Sequence, residues 1–228
     1  DELRSEAAAL SLFAGEGAVR LLAHDDERGV LLLERALPGT PLAELTDDAE
    51  GTRVAARLMR RLWRTPPDAH EFPTLARWFR AFERLREKYG GACGPFPEDL
   101  VARAERTFRE LNSSRDQTVI LHGDLHHTNV LSDERRGWLA IDPKGLCGDP
   151  GYEIGSFMLN RLPDARDDGA LGDVLNRRLK IFSEELCMSR ERLAGWAFCH
   201  AMLSALWGEE DSEDWTRAVR LARVLGAL

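Results

Sequence analysis

The hydrophobic pattern of this chain changes period once and then changes back, which narrows the folds open to it. From residue 54 to residue 111, apolar side chains recur at three- and four-residue spacing. Val54, Leu58, Met59 and Leu62 form the first run, Leu75, Phe79, Phe82 and Leu85 the second, and Leu100, Val101, Ala104, Phe108 and Leu111 the third. These are amphipathic helices, stopped by Thr65-Pro66-Pro67 and Gly90-Gly91, the third entered through Pro97. Residues 118–121, 129–131 and 138–141 are instead short apolar pieces between Gly and Asp, as strands are. Helical spacing returns from Tyr152, with breaks near Pro163–Gly169, Ser189 and Gly208.

Ahead of these runs, residues 2–14 read as a helix with Leu3, Ala7, Leu10 and Ala14 on one stripe, ended by Gly15-Glu16-Gly17. Val19–Ala23 and Val30–Leu33 follow as a hairpin around a polar turn. Leu37-Pro38-Gly39-Thr40-Pro41 then breaks the pattern and marks a boundary between residues 1–37 and 38–228. The predicted class is α+β: a helix plus hairpin, then a mainly helical body holding one small hairpin. A composition of 43% hydrophobic and 31% charged residues excludes a disordered chain. The net charge of −8, acidic in both halves, disfavours nucleic acid and suits a neutral or cationic partner. No apolar stretch is long enough for a membrane span. Cys93, Cys147, Cys187 and Cys199 are widely spaced without a CxxC pair, so a reduced, cytoplasmic protein is expected.

The polar residues among the strand-like pieces have an order of their own. Asp124 follows the first piece, Asn129 lies five positions on, and Asp142 closes the third piece thirteen beyond that. Phosphoryl transfer from a nucleotide needs a carboxylate to take the proton of the attacking hydroxyl. It also needs an amide oxygen and a second carboxylate to hold the magnesium that bridges the phosphates. The three residues supply those parts in that order. A rival reading takes His122, Asp124, His126 and His127 as converging zinc ligands of a metallohydrolase.

His122-Gly-Asp124-Leu-His-His-Thr-Asn129-Val-Leu, followed by Ile-Asp142-Pro-Lys-Gly and Gly-Asp-Pro-Gly-Tyr-Glu, resembles the aminoglycoside phosphotransferase family, nearest its streptomycin and hydroxyurea branch. The resemblance implies a protein-kinase-like fold with residues 1–37 as the end of a nucleotide-binding lobe and its hinge, and 38–228 as the catalytic and substrate lobe. It also implies ATP and Mg2+ as cofactors and O-phosphorylation of a small, cationic molecule such as streptomycin. Carried over, it makes Asp124 the catalytic base and Asn129 and Asp142 the magnesium ligands. Glu6 becomes the helix carboxylate that pairs with a phosphate-binding lysine, and the backbone of Glu34, Ala36 and Leu37 meets the adenine.

The family's lysine strand and nucleotide-covering loop would lie before residue 1, and no GxxxxGK[ST] or GxGxxG occurs in these residues. An N-terminally truncated relative that binds ATP poorly by itself is therefore expected. Kinases of the same fold acting on other small molecules, and a non-catalytic binding module, fit the same residues.

Further candidates face plainer alternatives. His126 or His127 could shape the phosphate or substrate site. Asp149 and Glu153 would lie near the acceptor pocket, although Asp149 before Pro150 is also a helix N-cap signature. Glu209, Glu210 and Asp211, between Trp207 and Trp215, could form an acidic wall for a guanidinium or ammonium acceptor, or a solvated loop.

Overall fold

The computed structural model describes residues 2–162 and 167–228; the break expected at Pro163 lies outside them. Helix α1 (Glu2–Phe13) leads into the hairpin β1 (Leu21–Asp25) and β2 (Val30–Leu33). Strand β3 (Pro38–Pro41) precedes three helices, α2 (Asp48–Leu62), α3 (Leu75–Lys88) and α4 (Glu98–Ser113). Strands β4 (Val119–Leu121), β5 (Val130–Asp133), β6 (Gly137–Ala140) and β7 (Leu146–Gly148) come next. Helices α5 (Ile154–Leu159), α6 (Asp168–Leu186), α7 (Arg190–Glu210) and α8 (Thr216–Gly226) complete the described part.

The helices begin where their caps permit. Asp47 accepts the Ala49 and Glu50 N–H groups ahead of α2, Thr74 that of Arg77, and Ser189 that of Arg192. Each oxygen satisfies donors that a helix start otherwise leaves unpaired. Helix α7 is the central strut, with Trp196, Phe198, Cys199, Met202 and Leu203 all buried, and it packs on α3, α4, α5, α6 and α8. It does not break at Gly208, which lies against Trp215, so Glu209 and Glu210 belong to its last turn.

The expected break at residues 37–41 is also corrected in part, because Pro38–Pro41 is a strand. It is the edge of an antiparallel sheet ordered β3-β5-β6, where a proline's missing N–H costs no ladder bond. Strand β7 has only three residues and no periodicity to announce it.

Two strand pairs place the polar residues. Pairing of β4 with β7 sets Leu121 opposite Leu146, which brings the segment after 121 beside the segment before 146. Pairing of β5 with β6 sets Val130 opposite Ala140, and the Ile141 N–H extends the ladder to the Asn129 carbonyl at 2.9 Å. Asp124, Asn129 and Asp142 thus leave different strands and converge.

Arg178 on α6 ties the floor of this region together. Its fully buried guanidinium bonds the Asp48 carboxylate at the start of α2 and the carbonyls of Phe157, Asn160 and Arg161 at the end of α5. A lysine there has no planar fork to reach all four partners. Arg178→Lys should therefore cost about 2 kcal/mol, measurable in urea melts. A change within error would show that these bonds contribute nothing net.

Candidate active site

The segment 122–124 is held by its backbone. Glu153, at the end of the short 3-10 turn Pro150–Glu153, accepts the His122 and Gly123 N–H groups, each at 2.8 Å, one to each carboxylate oxygen. His122 is fully buried, and its ring spans two segments. Nδ1 accepts the Asp124 N–H at 3.2 Å, and Nε2 donates to the Ile141 carbonyl at 2.9 Å. The His122 carbonyl accepts from the Lys144 N–H at 2.7 Å. One residue therefore fixes the backbone before Asp124 against the backbone around Asp142.

Asp124 comes out of this frame half-buried. Its Oδ1 accepts the Ser156 hydroxyl at 2.6 Å, and its Oδ2 lies 3.7 Å from His126 Nε2. Asn129 donates from Nδ2 to the Asp124 carbonyl at 3.1 Å, which leaves its Oδ1 as the free amide atom. Asp142 has φ of 58°, a left-handed conformation uncommon for a side-chain-bearing residue, and its carboxylate is half exposed with Lys144 at 3.5 Å. Glu6 on α1 shares this neighbourhood; burial, and then the Asp142 charge, pushes its carboxyl up. The α1 helix is locked there by Ser5 Oγ, which donates to the Lys144 carbonyl at 2.7 Å.

Burial pushes the Asp124 carboxyl up, and the Ser156 hydroxyl works against that rise. Burial also takes Glu153 up to about 7 from 4.5, despite two N–H donors. Three histidines move the other way, from 6.5 to about 3 for His122 and His127 and to about 4 for His200. Depressed histidines stabilise the fold above pH 6.5, and that contribution is lost as the pH falls towards their folded values. Glu153 stabilises below pH 4.5 and loses this contribution as the pH rises through about 7. Between pH 4.5 and 6.5 the three histidines outnumber Glu153, so acidification across that window should lower stability, with the raised carboxyls of Glu6 and Asp124 working against the fall. Denaturant melts across that window test this, and a flat profile would contradict it.

The other expected residues are scattered. His127 does not reach the surface: it is buried with its ring stacked on Phe157 at 3.9 Å. Asp149 is buried as the cap of the 3-10 turn, accepting the Gly151 N–H and pairing with Arg192. Glu153 holds the loop from beneath. Glu209 is taken by Lys88 and Tyr89, both at 2.6 Å, and Glu210 by the Arg84 guanidinium at 3.0 and 3.2 Å. Asp211, just past α7, is exposed.

The hinge residues also divide. Glu34 pairs with Arg136, while Leu37 has already given its N–H to Asp133 and its carbonyl to Glu134. Ser156 went unnoticed in the sequence, where a lone serine between Gly155 and Phe157 resembles filler.

A cavity of about 1240 Å³ opens beside the loop, between α1, residues 67–73, α3 and Trp207. Trp78 and Lys144 line it and also lie where a side chain on Gly123 would have to go. Its charged lining is Arg4, Arg77, Arg80, Arg84 and Lys144 against Glu2 and Glu71, so the expected acidic wall is not built into it. Among the described residues, no three His, Cys, Asp or Glu side chains gather as a metal cage. The zinc reading fails on geometry, because the His122 ring is spent on Asp124 and Ile141 and the His127 ring lies under Phe157.

This architecture is shared with small-molecule kinases. A choline kinase from Streptococcus pneumoniae superposes with a TM-score of 0.69 at 16% identity, covering 99% of this chain and 81% of that one. The fold is therefore protein-kinase-like.

The chain belongs to the aminoglycoside/hydroxyurea antibiotic resistance kinase family, whose profile matches residues 1–212. It is 32% identical over 221 residues to a streptomycin 6-kinase of Streptomyces glaucescens, covering 92% of this chain and 68% of that protein. It is 32% identical over 225 residues to a hydroxyurea phosphotransferase of Kitasatospora aureofaciens, covering 93% and 61%. The chain thus spans about two thirds of the length of these relatives.

Proposed function

We propose that the protein transfers a phosphoryl group from ATP, with Mg2+, to a hydroxyl of a small molecule, and that streptomycin is the first acceptor to test. The observation that carries the reading is the junction of Asp124, Asn129 and Asp142. Separate strands deliver three side chains of the required chemistry, and Asn129 is bonded to the Asp124 backbone. When bound, the magnesium nucleotide supplies the phosphoryl group and neutralises the charge left on its departure.

The chain's own residues do the rest. Asn129 Oδ1 and the Asp142 carboxylate suit magnesium, which takes one or two protein oxygens beside phosphates and water rather than a closed cage. Asp124 orients the acceptor hydroxyl and accepts its proton as that oxygen bonds phosphorus. The cavity against Gly123 receives the acceptor, with Trp78 and Trp207 offering apolar faces. Residues 1–37 belong to the nucleotide-binding side, where the backbone of Glu34 and Ala36 contacts the base, and 38–228 form the catalytic side. The choice of streptomycin rests on the names of the relatives. A cationic acceptor that used Glu210 would first have to displace Arg84.

Mass spectrometry on the full-length protein with ATP and Mg2+ tests this against streptomycin, hydroxyurea and choline. A product heavier by one phosphoryl group from streptomycin supports the full reading. A phosphorylated product from another acceptor alone would remove streptomycin and keep the reaction class; no product from any would overturn both.

A further inference from the structure

We propose that Ser156 is a positioning residue for the transfer, holding the Asp124 carboxylate by its Oδ1 so that Oδ2 alone is presented to the acceptor hydroxyl. The inference rests on the phosphotransferase reading and deepens it at the same site.

Ser156 Oγ donates to Asp124 Oδ1 at 2.6 Å across 32 residues of sequence, and Ser156 itself is buried. A serine within a helix commonly turns its hydroxyl back on the carbonyl four residues earlier. Here it reaches across to another segment instead. A hydroxyl bonded to a carboxylate in a half-buried place is a strong, directional contact. It restrains rotation about the Cα–Cβ and Cβ–Cγ bonds, the side-chain freedoms left to Asp124 once Glu153 and His122 hold its backbone.

The anchor is itself fixed. Phe157, the next residue, stacks on His127 of the same loop, and the Phe157 carbonyl is bonded by the buried Arg178 at 3.0 Å. Glu153, Ser156 and Phe157 thus meet the loop at three points, its backbone, its reacting carboxylate and its far side. Of these three, Ser156 is the one that hydrogen-bonds the group that handles the proton, while His126 Nε2 lies 3.7 Å from its other oxygen. Its loss should leave acceptor binding nearly intact and disturb the geometry of the chemical step.

The test compares Ser156→Ala and Ser156→Thr with wild type in the full-length protein, using whichever acceptor is phosphorylated. Ser156→Ala should lower kcat roughly 10- to 100-fold with acceptor KM changed less than about threefold. Ser156→Thr, which restores the hydroxyl, should recover most of that loss. Thermal melts report the folded fraction for each. A kcat for Ser156→Ala within twofold of wild type would overturn the proposal. So would a loss matching the lost folded fraction, or a well-folded threonine variant as slow as the alanine one. If wild type transfers nothing, the phosphotransferase reading has failed; if wild type is active and Ser156→Ala is equally active, only this inference has.

Discussion

Asp124→Asn is expected to lower kcat by about 10²- to 10⁴-fold, the usual contribution of a positioned general base. The substitution is nearly isosteric, and its amide oxygen can still accept the Ser156 hydroxyl, so the loop should keep its shape. Acceptor KM should then change only a few-fold, because the cavity lining is untouched. Steady-state kinetics on the folded variant check this. Turnover within tenfold of wild type would remove Asp124 from the role of base and leave it as one of the region's structural carboxylates.

The second large effect is expected at Glu153. Its carboxylate occupies a buried site and satisfies two buried backbone donors, those of His122 and Gly123. Glu153→Ala would orphan both N–H groups and open a void, and each orphan alone costs about 1–3 kcal/mol. A destabilisation of about 3–5 kcal/mol is expected, or a Tm lower by roughly 10 °C. The molecules that remain folded should also turn over more slowly, since a shift of about 1 Å in the loop can cost 10²-fold. Glu153→Gln keeps one acceptor oxygen and should fall between alanine and wild type. Thermal melts and kcat on the soluble variants measure both effects. A Glu153→Ala protein as stable as wild type would mean that the two N–H groups find other partners.

Helices α2, α3 and α4 were legible because each wets one face and buries the other, as Leu75, Phe79, Phe82 and Leu85 show on α3. The grouping of Asp124, Asn129 and Asp142, on which the proposed function rests, was expected from the sequence because phosphoryl-transfer chemistry constrains residue type and sequence order together. What stayed hidden depended on partners distant in sequence. Ser156 looks inert until β4 and β7 pair and bring Asp124 over α5. Glu209 and Glu210 read as free acids because Lys88 and Arg84 lie more than 120 residues earlier.

Pro38–Pro41 read as a break since proline and glycine usually end elements, yet an edge strand tolerates them. Gly208 misled in a similar way, since the helix runs through it to Glu210 with Trp215 alongside. His127 offers a related lesson. Its place in the polar motif suggested contact with a ligand, whereas Phe157 covers its ring.

The most direct test of the central claim is single-turnover phosphoryl transfer by the full-length protein and its Asp124→Asn, Asn129→Ala and Asp142→Asn variants. Enzyme, Mg2+ and the acceptor are held in excess over ATP, product is followed by mass spectrometry, and folding is confirmed by thermal melts. Phosphorylated acceptor should form with wild type, and each folded variant should be slower by at least about 10²-fold. Product formed at the wild-type rate by any of the three would contradict the assignment of that residue, and by all three would place the reaction elsewhere in the molecule.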